Sequence, residues 1–191
     1  MPTLPRRGWV PRVMLQLAFL VAAVPALAGK VAILDGKIPA IGVGGRIEVG
    51  DERVFHDLAG TMPNPIVVLL GPGGSVAAAL AIGQEIRARG LRTLVPAGAS
   101  CASACALIWL AGTTRMLGMD ARIGFHAISA SRGGGPSTET HAFDSVLRHY
   151  LLGLGYAGDA TATIVNTPSK GLRWLDRIEL DSNGFTSQIY P

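Results

Sequence analysis

Two hydrophobic periods alternate along this chain. Val31 to Leu34 is a short apolar run that predicts a strand. The segment IGVGGRIEVGDERVFHDLAG predicts a strand and glycine turn, then a short helix from about Gly50 to Ala59. Ile66 to Leu70 is unbroken β-branched and leucine sequence, the pattern of a strand covered on both faces. Gly71-Pro72-Gly73-Gly74 punctuates that run, and Ser75 is placed to cap a helix directly after it. From Val76 to Arg89 the period changes. Val76, Ala79, Leu80, Gly83 and Ile86 recur at helical spacing, while Gln84, Glu85, Arg87 and Arg89 mostly face away. Gly90 suits the residue just past a helix end.

LRTLVPAG then predicts a second strand. Strand, helix and strand within about thirty residues form a βαβ unit, whose two strands must run parallel. Cys101 to Leu110 predicts another helix, small at its start and bulky afterwards. ARIGFHAIS reads as a strand, SRGGGPST as a loop, and Thr138 to Leu154 as a longer helix. Pro168 marks a break, a short strand or helix is expected near GLRWLDRIEL, and Gly184 precedes the last strand-like residues. The whole predicts a single α/β domain.

The first segment is of another kind. MPTLPRRGWVPRVMLQLAFLVAAVPALAGK has three arginines and no acid, then an apolar run from Val13, then Ala26-Leu27-Ala28. This is the layout of a secretory leader, predicting a signal peptide over 1–28 cut after Ala28, a domain over 29–191, and a periplasmic or secreted product. The apolar run is short for a membrane span, so no stable span is expected after cleavage. The leader also changes the charge. Of the formal net charge of +4, Arg6, Arg7 and Arg12 account for three, leaving +1 on the domain. With no basic run and no interleaved aromatics, nucleic acid is not an expected partner. Export further implies oxidising conditions for the only two cysteines, Cys101 and Cys105. They stand four apart, and a disulfide or two buried thiols are both open. A disulfide needs Cys101 to sit just outside the helix. Without a nearby histidine they make half a zinc site at best, so neither metal nor cofactor is expected.

Three features carry candidate chemistry. Ser103 lies at the start of a helix that follows a strand, flanked by Ala102, Ala104 and Ala106. Small neighbours leave room for a carbonyl to approach to about 3 Å, although a serine here also caps or packs. Gly73 and Gly74 end the preceding strand with bare backbone, and the amides of Gly74 and Ala104 can converge as an oxyanion hole does. His126 follows Ile123 and Phe125 on a strand, as a core histidine or as a base for the serine proton. His56, His141 and His149 lie in helical polar stretches and are assigned no chemistry.

Glycine turn, serine helix and histidine strand occur here in that order. The segment from GPGGSV through CASACALIWLAG to RIGFHAIS resembles the core of the Clp-protease/crotonase superfamily, and is most similar to exported Clp-like proteins. The resemblance covers Ile66 to Ser129 well, and Ile41 to Ala59 and Thr167 to Leu175 loosely. It implies a ClpP/crotonase-like spiral of ββα units, with Ser103 as nucleophile, His126 as base, and Gly74 and Ala104 as oxyanion donors. It implies a peptide or protein substrate and a homo-oligomer. One element departs. The related proteases place an aspartate shortly before a pair resembling the Trp174-Leu175 of this chain, where Ser169 and Lys170 stand instead. Asp176 just downstream is the candidate third member, with Asp159 upstream as another. The alternatives are a non-catalytic scaffold that keeps the fold, and a crotonase-type acyl-thioester enzyme, against which export and modest length both argue.

Overall fold

The computed structural model describes residues 30–126, 138–156, 158–165, 167 and 171–190. The expected leader and its cut, residues 131–137 of the SRGGGPST loop, Pro168, Ser169 and Lys170 lie outside them.

β1 (Lys30–Leu34) pairs antiparallel with β2 (Ala40–Ile47), and β2 pairs parallel with β3 (Ile66–Gly74). α1 (Asp51–Thr61) joins the last two. β3 then divides its free edge. Ile66 to Val68 pair with β4 (Arg92–Val95), whereas Gly71 pairs with β5 (Ser100–Ala102), both parallel. From this fork β4 continues to β6 (Arg115–Leu117), and β5 to β7 (Arg122–Phe125). β8 (Arg173–Leu175) closes one end antiparallel to β7, and β9 (Gln188–Ile189) the other, parallel to β6. The result is a mixed α/β domain around one curled sheet.

The helices are α2 (Val76–Ala88), α3 (Ala104–Leu110), α4 (Thr138–Gly153), α5 (Gly158–Val165) and α6 (Arg177–Ser182). Ser75 caps α2, accepting from the Ala78 amide at 3.3 Å. The predicted β3–α2–β4 unit is therefore present with its strands parallel. Two sequence expectations change. β3 does not stop at Leu70 but runs through the glycines to Gly74, because Gly71, Gly73 and Gly74 adopt positive φ angles open only to glycine. The helix expected from Cys101 begins at Ala104, since Ser100 to Ala102 are held as a strand between β3 and β7. β6 and α5 had no separate signal.

α3 is the centre of the core. All seven of its residues are at most 3% exposed, so it is enclosed on every side, as its apolar sequence requires. A buried helix end must have its last carbonyls satisfied. Here Tyr150 donates to Leu107 O at 2.9 Å, Thr93 Oγ1 to Trp109 O at 2.9 Å, and Tyr156 to Leu110 O at 2.9 Å. Burial pushes both phenols above their ordinary pKa of 10.0; for Tyr150 the neighbouring Tyr156 adds to this, and for Tyr156 the Arg115 guanidinium opposes it. The folded chain thus prefers neutral phenols. Their contribution to stability is fully present below pH 10 and falls as pH rises beyond it, because the unfolded chain releases these protons first. Urea unfolding across pH 8 to 11.5 checks this. A Tyr150→Phe, Tyr156→Phe chain will be less stable at neutral pH by about 1–3 kcal/mol per lost bond and will show a flatter alkaline limb. An equally steep limb in that chain refutes the assignment.

Candidate active site

β5 and β7 lie side by side in parallel register, with Ala102 opposite Gly124. Ser103 is one residue beyond the end of β5, and His126 one residue beyond the end of β7. The register therefore delivers a hydroxyl and an imidazole to the same edge of the sheet. They meet: His126 Nε2 stands 2.8 Å from Ser103 Oγ, across 23 residues of chain. The pair is partly buried, and His126 keeps access to solvent.

Ser103 has φ 56° and ψ −124°. A non-glycine residue there costs on the order of 1–3 kcal/mol and persists only where its surroundings fix it. Three of them do so. The Ser103 amide donates to Gly124 O at 2.8 Å, tying the turn to β7. Gly73 packs directly on the turn. A Cβ at Gly73 would stand 2.7 Å from both Ala102 O and Ala104 N, and 2.8 Å from Ser103 Cβ, and its φ of 93° is also a glycine conformation. The third restraint is a disulfide between Cys101 and Cys105, whose Cα atoms are 5.3 Å apart. Cys101 is in β5 and Cys105 in α3, so the bond spans the serine turn from strand to helix.

Gly74, expected as an amide donor, is one residue further on, and a Cβ there would collide with Ile47 O of β2. Ser75 N donates to that same Ile47 O at 2.8 Å. Ala104 is the first helical residue of α3. The sequence offers Gly73 only as bare backbone at a strand end, and Gly124 carries no expectation at all. The first touches the serine turn, and the second leaves room for the Trp174 ring, 2.9 Å from where its Cβ would be. The glycine in RIGFH was the available signal for the second.

Asp176 is a correction. In β8, Arg173 is opposite Phe125 and Leu175 opposite Ile123. Antiparallel pairing therefore puts Asp176 level with Arg122, four residues from His126 and about 13 Å away at strand spacing. Its carboxylate is occupied as the cap of α6, accepting from Glu179 N at 2.9 Å in a reciprocal capping box. A helix cap in this place has its own sequence signal, Asp176 with Glu179 three residues on. The Asp159 side chain lies outside the described residues. Among the described residues, no group of three or more His, Cys, Asp or Glu is arranged to hold a metal, and no helix is long and apolar enough to cross a membrane.

The chain matches no protein-family model and no curated protein sequence. Its fold has relatives among solved structures. A mutant of the 1510-N membrane-bound stomatin-specific protease superposes with a TM-score of 0.60 at 20% identity, over 78% of this chain and 77% of that one. ClpP1 from Listeria monocytogenes superposes with a TM-score of 0.62 at 17% identity, over 78% of this chain and 89% of that one. A ClpP1 mutant from the same organism gives 0.62 at 18% identity, over the same shares. At these identities the likeness establishes the fold, which is ClpP-like.

Proposed function

We propose that this protein is an exported serine hydrolase acting on peptides or proteins, with Ser103 as nucleophile and His126 as general base. The 2.8 Å contact between Ser103 Oγ and His126 Nε2 carries the reading, and the constrained backbone at Ser103 supports it. His126 Nε2 takes the hydroxyl proton as Oγ attacks the carbonyl carbon. The carbonyl oxygen gains negative charge, which the amides of Gly74 and Ala104 receive. Two placements support these donors. Gly74 directly follows Gly73, which packs on the serine turn, and the next amide, that of Ser75, is taken by Ile47 O of β2. The amide of Ala104 has no partner within its own helix. Collapse of the tetrahedral species expels the amine, which takes the proton back from His126, and water then releases the acyl group by the same steps reversed.

The Cys101–Cys105 disulfide supports an oxidising location, and with it cleavage of the leader after Ala28. Exposed apolar residues such as Met119, Ile178 and Ile189 give self-association a surface. The second reading, a scaffold without catalysis, is favoured by one feature of the sequence: Lys170 stands near where the related proteases place their acid. Fluorophosphonate labelling separates the two. The expected result is stoichiometric modification of the peptide containing Ser103. A folded chain that leaves Ser103 unmodified while a control hydrolase reacts would establish the scaffold.

A further inference from the structure

The residues around Ser103 favour a different conformation from the one they hold. CASACALIWL is rich in alanine and leucine, and by propensity it is one helix from Cys101. The structure breaks that helix at Ser103, keeps Cys101 in β5 and starts α3 at Ala104. Two of the restraints on the break are non-covalent, the Gly124 carbonyl and the Gly73 contact. The disulfide is the covalent one, and it joins the strand side of the break to the helix side. Both cysteines are at most 2% exposed, so the bond is enclosed when the domain is complete.

We propose that the Cys101–Cys105 disulfide is the positioning element for Ser103, and that a chain folded without it is compact but catalytically silent. The inference rests on the reading of Ser103 as nucleophile. Without the bond, Ser103 can relax towards helical dihedrals, continuing α3 backwards and drawing Oγ away from His126 Nε2. The rest of α3 is held by its own packing and by Thr93, Tyr150 and Tyr156, so the fold survives. The site therefore becomes competent only where a disulfide-class oxidant has taken two electrons and two protons from the two thiols. A chain still in a reducing compartment is protected from its own chemistry.

The test compares three forms of the full chain: oxidised, refolded in dithiothreitol, and Cys101→Ala, Cys105→Ala. Dithiothreitol gives up two electrons and two protons, ends as its cyclic disulfide, and leaves two cysteine thiols. The expected result is cooperative unfolding in all three forms, with the fluorophosphonate labelling rate at Ser103 at least tenfold lower in the reduced and variant forms. Oxidised glutathione will restore the rate in the reduced chain and leave the variant unchanged. Reduced or variant protein that labels within twofold of the oxidised form overturns the proposal. So does failure of both to fold, since a folded silent form is what it requires. Should the oxidised form itself fail to label, the hydrolase reading fails first and this inference with it.

Discussion

Replacing His126 by alanine will lower the rate of fluorophosphonate labelling and of peptide hydrolysis by roughly 10⁴-fold, the scale lost when a serine nucleophile is left without its base. Thermal stability will change little, because His126 is only half-buried and stands one residue beyond the end of β7. Activity and stability thus part company in this variant. The ring is the only imidazole given a hydrogen bond to Ser103, at 2.8 Å among the described residues. His56 pairs with Glu85 on the surface, at 3.0 Å, and His56→Ala should leave both measurements unchanged. A His126→Ala chain that labels at the parental rate would show that the hydroxyl gains its reactivity elsewhere.

Gly73→Ala will damage both properties. The added methyl has to occupy a point 2.7 Å from Ala102 O and Ala104 N, and the φ of 93° disfavours any side chain in addition. Backbone, not a flexible side-chain end, must move, and the atoms that move are those framing Ser103. The expected loss is roughly 3 kcal/mol in urea unfolding, in the range of single changes that force strained backbone. Labelling should fall roughly 100-fold, since a displacement near 1 Å in a reacting group is enough for that. Gly60 in α1 is the control: nothing lies within 4 Å of its absent Cβ. Gly60→Ala should be neutral or slightly stabilising, by roughly 0.5–1 kcal/mol. Equal behaviour of the two variants would mean that Gly73 carries no constraint on the serine turn.

The elements legible in the sequence are those with many residues of one period. Ile66 to Leu70 declares a strand and Val76 to Arg89 a helix with its serine cap, and both begin where expected, although the strand runs on to Gly74 and its Val68 and Leu70 are only half-buried. Ser103 and His126 are legible as residue types in a spacing, and the register of β5 and β7 brings them to one place. What local sequence does not convey is the break at Ser103. Alanine-rich sequence prefers a helix, and only pairing with β3 and β7 pulls Ser100 to Ala102 into the sheet. The three-residue β6 is too short to show a period of its own. Asp176 misleads for a related reason. An aspartate near the end of a strand looks like a candidate acid, whereas the direction of β8, a tertiary fact, decides which end of β7 it reaches.

Ser103 and His126 each sit a single step past a strand end, and their encounter is a matter of backbone alignment. Side chains change direction with every residue of a strand, so one residue inserted into or deleted from Arg122 to Phe125 would turn the imidazole to the opposite face while both residue types remained in the chain. What inheritance must preserve here is thus a count of peptide units as much as a pair of letters, and a descendant could fall silent by a slip in length with its motif still intact.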